Sequence, residues 1–157
     1  MTTLSLEQPD KMIDAAFARA QELRLKPLTI AILDPGGHLI ALARQDGSSN
    51  LRPAIAIAKA SGALALGVSS RKIGQMAVER PAFITSLSTM APAGIVPAAG
   101  GVIVAGPSGK VLGAIGVTGD SSDNDEMCAI AGALSTGLRV MAGTVSCKRC
   151  SGSTLRA

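Results

Sequence analysis

Leu28-Thr-Ile-Ala-Ile-Leu33, Asp34-Pro-Gly-Gly37 and His38-Leu-Ile-Ala-Leu-Ala-Arg44 are the stretch on which the fold turns. Six β-favouring or apolar residues run without interruption, a Pro-Gly-Gly turn follows, and a second apolar run returns: a hairpin. The same grammar recurs at Val102–Ala105 and Val111–Thr118, joined by Gly106-Pro-Ser-Gly109. Around these hairpins the pattern is helical. Met12, Ile13, Ala16, Phe17, Ala20 and Leu23 recur at helical spacing behind a Ser5/Gln8 capping pair, which predicts a helix over about residues 6–24. Residues 51–66 are too long and too Ala-rich for a strand and predict a largely buried helix with Lys59 as its interior charge. Short helices are expected from Ser69 or Ser70 to before Pro81 and from Phe83 to Met90. A final helix should open near Ser122, with Met127, Ile130, Ala131, Leu134, Leu138 and Met141 on one face. Hairpins without βαβ crossovers predict an α/β (α+β) domain whose antiparallel sheet carries packed helices, and a short strand near Ile95 would make it five-stranded. One domain is expected over residues 1–145, with 146–157 as a frayed tail.

The 157 residues are 47% hydrophobic and 17% charged, enough apolar surface for a globular core. Phe17 and Phe83 are the only aromatic residues, so sugar platforms and base-stacking nucleic-acid sites are excluded. The net charge of +4 is scattered, with no basic run to follow phosphates, and no nucleic-acid partner is expected. The N-terminus lacks a signal-peptide pattern and no apolar run is long enough to cross a bilayer, so the expected location is the cytoplasm, without a membrane partner. Cys128, Cys147 and Cys150 are odd in number and make no disulfide framework; Cys147 and Cys150 lack a second pair to complete a zinc site.

The chemistry-bearing residues cluster where strands meet helices. Between Thr118-Gly119 and the final helix stand Asp120, Asp123, Asp125 and Glu126. Acidic residues suit a first helical turn, and four of them also suit a polar cleft in which Asp125 or Glu126 acts as acid or base. Lys59 on its apolar helix must snorkel, shift its pKa down, or pair with Asp34, Asp125 or Glu126. Gly100-Gly101 lets a ligand or a neighbouring backbone approach a strand, yet matches neither a phosphate loop nor a dinucleotide fingerprint. His38, the only histidine, is either a surface residue or an iron ligand. Arg44 is placed to clamp a carboxylate or to pair with Asp46. No serine or cysteine nucleophile has a local signature.

Ala31-Ile-Leu-Asp-Pro-Gly-Gly-His-Leu-Ile-Ala-Leu-Ala-Arg-Gln-Asp-Gly47, Ile57-Ala-Lys-Ala60, Gly100-Gly-Val102, Gly113-Ala-Ile-Gly-Val-Thr-Gly119 and Asp125-Glu-Met-Cys-Ala129 together resemble the GlcG/HbpS family, related also to the C-terminal domain of the PduO corrinoid adenosyltransferase. The resemblance spans about residues 5–142. It implies a profilin-like, five-stranded antiparallel sheet with helices on both faces, self-association as a dimer or larger, and binding of haem or a related tetrapyrrole. An antiparallel sheet brings its hairpin ends to common edges, and on that geometry Asp34, Arg44, Lys59, Gly100, Gly101, Thr118 and Gly119 are the expected cofactor-binding positions. Lys59, Asp125 and Glu126 are the catalytic candidates and His38 the metal candidate. Two other readings follow: a small enzyme for a hydroxy or oxo acid or a ring-cleavage product of catabolism, and an accessory protein without catalysis. The chain departs from the family pattern at Ile103, Gly62 and Thr118, where proline, threonine and serine are common, which alters the pocket lining.

Overall fold

The computed structural model describes residues 3–141. Its elements are α1 (Glu7–Glu22), β1 (Thr29–Leu33), β2 (Leu39–Arg44), α2 (Arg52–Leu66), α3 (Ser70–Glu79), α4 (Pro81–Met90), β3 (Gly101–Ala105), β4 (Val111–Thr118), α5 (Ser122–Leu134) and β5 (Arg139–Met141). Local chemistry sets the boundaries. The Gln8 side chain accepts the Ser5 N–H at 3.0 Å ahead of α1, and Ser69 and Ser121 cap α3 and α5. Gly67, at φ 67°, takes the left-handed conformation that ends α2.

The strands form one sheet in the order β2-β1-β4-β3-β5, every neighbouring pair antiparallel. Strand alternation divides its two faces. Ile30, Ile32, Val102, Val104, Ile115 and Val117 point to the side where α1 and α5 pack, against Met12, Ala16, Cys128 and Ala129. The middle of the other side is lined by Ala31, Gly101, Ala114 and Gly116, and there α2 lies almost on the backbone of the sheet. A side chain at Gly116 would strike the Ala56 carbonyl, and one at Gly101 would strike the Lys59 carbonyl. Beyond α2, α3 and α4 enclose a satellite core of Ile73, Ile84 and Ile95.

The expected helices and both hairpins are present, and helices cover both faces of a five-stranded antiparallel sheet. Two expectations need correction. Ile95 is not in a strand but plugs the α3–α4 core at 8% exposure, and the fifth strand is β5, against β3. The last helix stops at Leu134, so Leu138 and Met141 do not share its face. Its buried stripe is Cys128, Ala129, Gly132 and Ala133, while Leu134 is 51% exposed. Gly132 sets that choice, because a Cβ there would lie 2.6 Å from the Met12 carbonyl oxygen, so α1 and α5 meet across small residues. Cys147, Cys150 and the expected tail lie outside the described residues. Among the described residues no single helix is long and apolar enough to cross a membrane.

Gly116→Ala should lower stability by about 1–3 kcal/mol in urea unfolding, the usual range for forcing an extra group into a packed site. Gly106→Ala, whose new methyl would meet Leu112 at 3.5 Å, should change it little.

Candidate functional site

The close seating of α2 carries Lys59 into the interior at the Thr118 end of the sheet. Its Nζ donates to Asp125 Oδ2 at 2.9 Å and to the Val117 carbonyl at 3.0 Å. The ammonium occupies space that a side chain at position 100 would take: a Cβ on Gly100, whose φ is +126°, would lie 2.9 Å from Nζ and 3.1 Å from Asp125 Cβ. Asp125 Oδ1 accepts the Asp120 N–H at 3.0 Å, so both carboxylate oxygens are occupied. Lys59 is 3% exposed and Asp125 1%. Burial pulls the Lys59 pKa down and pushes that of Asp125 up, each against the attraction of its partner.

The neighbouring Glu126 is equally buried. Its Oε2 accepts from Arg71 Nε at 2.6 Å, and Arg71 Nη2 donates to Asp123 at 2.5 Å. Burial raises the Glu126 pKa in spite of the guanidinium, and among the described residues Oε1 has no hydrogen-bond partner. The bond to Asp123 is the main cause of the raised Arg71 pKa. Across the same sheet end Arg52 Nη1 donates to Thr118 Oγ1 at 2.7 Å. Asp120 is held down at about 2, first by the Asn124 side chain and then by the Ser121 and Lys26 amides. Cys128, pushed up to about 11 by burial, is a thiol at neutral pH and not a nucleophile.

Lys59, Gly100, Gly101, Thr118, Asp125 and Glu126 therefore come together, but around a packed interior. The Gly101 N–H donates to Ser70 Oγ at 2.6 Å, and the space beside Gly119 is taken by the Pro27 carbonyl. Arg44 shares this end of the sheet, since Thr29 pairs with both Arg44 and Thr118. It stands two strands away, about 10 Å by strand spacing, and opens on a groove with Leu25, Pro27 and Asp46. Arg52 and Arg71 were not singled out by the sequence reading, although a signal existed. Each is a cation in the first turn of a helix, where the dipole disfavours positive charge, and neither first turn carries an acidic residue.

Asp34 and His38 occupy the opposite end of β1. Asp34 Oδ1 accepts the N–H groups of Gly36 at 2.8 Å and His38 at 2.9 Å, and His38 Nδ1 lies 3.2 Å from it. Those contacts, the His38 amide first, hold the Asp34 carboxyl below the usual carboxylate range. An ionised Asp34 selects the tautomer with the proton on Nδ1 and leaves the Nε2 lone pair free. The imidazole, 82% exposed, borders a cleft of about 270 Å³ with Gly37, Leu64, Ala65 and Pro92.

The model of a family described as haem degrading protein HbpS-like matches residues 4–134. The chain belongs to the HbpS-like family. An uncharacterized 15.0 kDa protein from the dhaT-dhaS intergenic region of Citrobacter freundii is 30% identical over 129 residues, 82% of this chain and 89% of that protein. Among solved structures, a double mutant of HbpS from Streptomyces reticuli aligns with a TM-score of 0.73 at 28% identity, over 85% of this chain and 86% of that one. The PduOC–haem complex aligns with a TM-score of 0.78 at 21% identity, over 90% of this chain and 99% of that one. Within this HbpS-like chain, no group of three His, Cys, Asp or Glu side chains is gathered to hold a metal ion among the described residues.

Removing one partner of a buried ion pair strands the other charge, at about 3–5 kcal/mol. Lys59→Met and Asp125→Leu should each show a loss of that order in chemical unfolding. The double variant should lose clearly less than the sum, and additivity would show that the two charges do not depend on each other.

Proposed function

We propose that this HbpS-like protein binds haem or a related tetrapyrrole in the cytoplasm, as a single domain that self-associates into a dimer or larger assembly. One observation carries the haem reading. His38 is a ligand-competent imidazole, its Nδ1 engaged by Asp34 and its Nε2 open at the mouth of an apolar cleft. A carboxylate behind an imidazole is the usual support of a metal-bound histidine. Gly36 makes the arrangement possible, because a Cβ there would lie 2.9 Å from the His38 ring.

The donor set fits the group. Leu64, Ala65, Pro92 and Pro35 would offer aliphatic contact to a macrocycle, and His38 would offer a nitrogen to its iron. Bound there, haem would supply a redox-active iron, while the chain's residues would orient it and shield one face. The cleft is smaller than a macrocycle, so the reading calls for a second surface and is coupled to self-association. Exposed Leu39, Leu42 and Leu51 are apolar surface that a second copy would cover. The family description and the haem complex among the structural relatives support the same ligand class.

Catalysis by Lys59, Asp125 and Glu126 is a weaker reading. All three lie at 3% exposure or less, with Asp125 and Lys59 bonded to each other, and so lack access to a substrate.

Titrating the protein with haem should give a saturable Soret shift at about one haem per chain, and His38→Ala should abolish or strongly blue-shift it. An unchanged free-haem spectrum would overturn the reading. Light scattering at micromolar concentration should give a mass of at least two chains, and a monomer mass would overturn the self-association.

A further inference from the structure

We propose that the cleft beside Arg71 is a separate binding site for short-chain aliphatic carboxylates. The cleft, of about 380 Å³, lies between α3 and the segment entering β3, bordered by Arg71, Gln75, Val78, Pro97, Ala98 and Ser122. Its base is tight: a Cβ on Gly74 would lie 2.9 Å from the Pro97 carbonyl oxygen.

Arg71 is built as an anion clamp with a removable occupant. Buried Glu126 fixes Nε at 2.6 Å and cannot swing out, which sets the orientation of the guanidinium plane. Among the described residues Nη1 meets no acceptor, and Nη2 is held by the Asp123 carboxylate, whose side chain is 77% exposed. An exposed ion pair of this kind contributes little net stability and its side chain is free to leave. Asp123 thus stands where an external carboxylate would bind, and with Asp123 displaced the guanidinium presents Nη1 and Nη2, two parallel N–H donors of the kind that match a carboxylate.

The first turn of α5 adds donors on the same wall. The Ser121 N–H goes to Asp120 Oδ1 at 2.8 Å, that of Asn124 to Ser121 Oγ at 3.3 Å and that of Asp125 to the Ser121 carbonyl at 2.8 Å. The Ser122 and Asp123 N–H groups meet no acceptor within the fold, and a helix N-terminus favours an anion. A ligand carboxylate would replace the Asp123 charge at Arg71 without adding a further one to the pair. Val78, 85% exposed, together with Pro97 and Ala98, gives a short alkyl tail an apolar wall, and Gln75 gives a polar substituent a partner. This cleft contains none of the residues around His38, so the proposal stands or falls independently of haem.

The test is calorimetric titration of the full chain, free of haem and at low salt, with butyrate and with its neutral counterpart butyramide. Butyrate should bind at millimolar concentration and butyramide should not. Asp123→Asn should tighten butyrate by about three- to fivefold, because the internal competitor is gone, and Arg71→Gln should abolish binding with the circular dichroism unchanged. Absence of butyrate binding to both the wild type and Asp123→Asn would overturn the proposal. So would weaker binding by Asp123→Asn, which is what a purely structural Arg71–Asp123 pair predicts.

Discussion

The structure depends on how closely the α2 backbone approaches the sheet. Gly101 and Gly116 stand opposite each other on β3 and β4, and the carbonyls of Lys59 and Ala56 sit over them where side chains would be. Only with that separation closed does the Lys59 side chain reach past Gly100 to the Val117 carbonyl and to Asp125 on α5. One ammonium then ties together a helix on one face, a central strand and a helix on the other. Burial of two charges costs several kcal/mol per ion before their attraction is counted, so the pair contributes less to stability than to a single permitted arrangement of the layers. An apolar pair of similar volume would hold α2 and α5 together without specifying their register.

That lock gives the two ends of the sheet different characters. At the Thr118 end, Arg52, Lys59 and Arg71 meet Thr118, Asp125, Glu126 and Asp123, and nearly every polar atom has a partner; Glu126 Oε1 and Thr29 Oγ1 are the buried exceptions among the described residues. At the other end the β1–β2 turn projects His38 into solvent with the partly buried Asp34 behind it. The buried carboxylates thus mark the closed end, while the exposed imidazole, held by Asp34, lies at the open one. Structural ion pairs perturb pKa values as catalytic sites do, and the groups at this end are buried against one another.

The hairpins were legible because Pro-Gly turns separate apolar runs of strand length, and the helices because caps and prolines bracket them. The site was partly legible: Lys59 on an apolar helix required a partner, and Asp125 was among those expected. Three things were hidden. β5 has three residues, of which Arg139 and Met141 are exposed, too short a run to display alternation. The α5 stripe was misread by choosing large apolar residues, Met127, Ile130 and Leu134, when contact through Gly132 and Ala133 brings the helix backbones closer. Arg71 lay unnoticed among scattered cations because its carboxylates are more than 50 residues away in the chain.

The same size rule governs the surface. α2 covers β1, β4 and β3 but reaches β2 only marginally, leaving Leu39 52% and Leu42 36% exposed on its side of the sheet. The outer edge of β2 carries no partner strand among the described residues, while the other edge is closed by the short β5. Chains protect such edges with charge, bulges or shortness. β2 has one bulge, opposite Ile32/Leu33, and one charge, Arg44 at its end, set against six residues of length. A small-residue core that brings α2 so close to the centre of the sheet cannot also extend that helix over its margin. The apolar surface left on β2 is therefore a geometric consequence of the Gly101–Gly116 contact, and it lies beside the turn that presents His38.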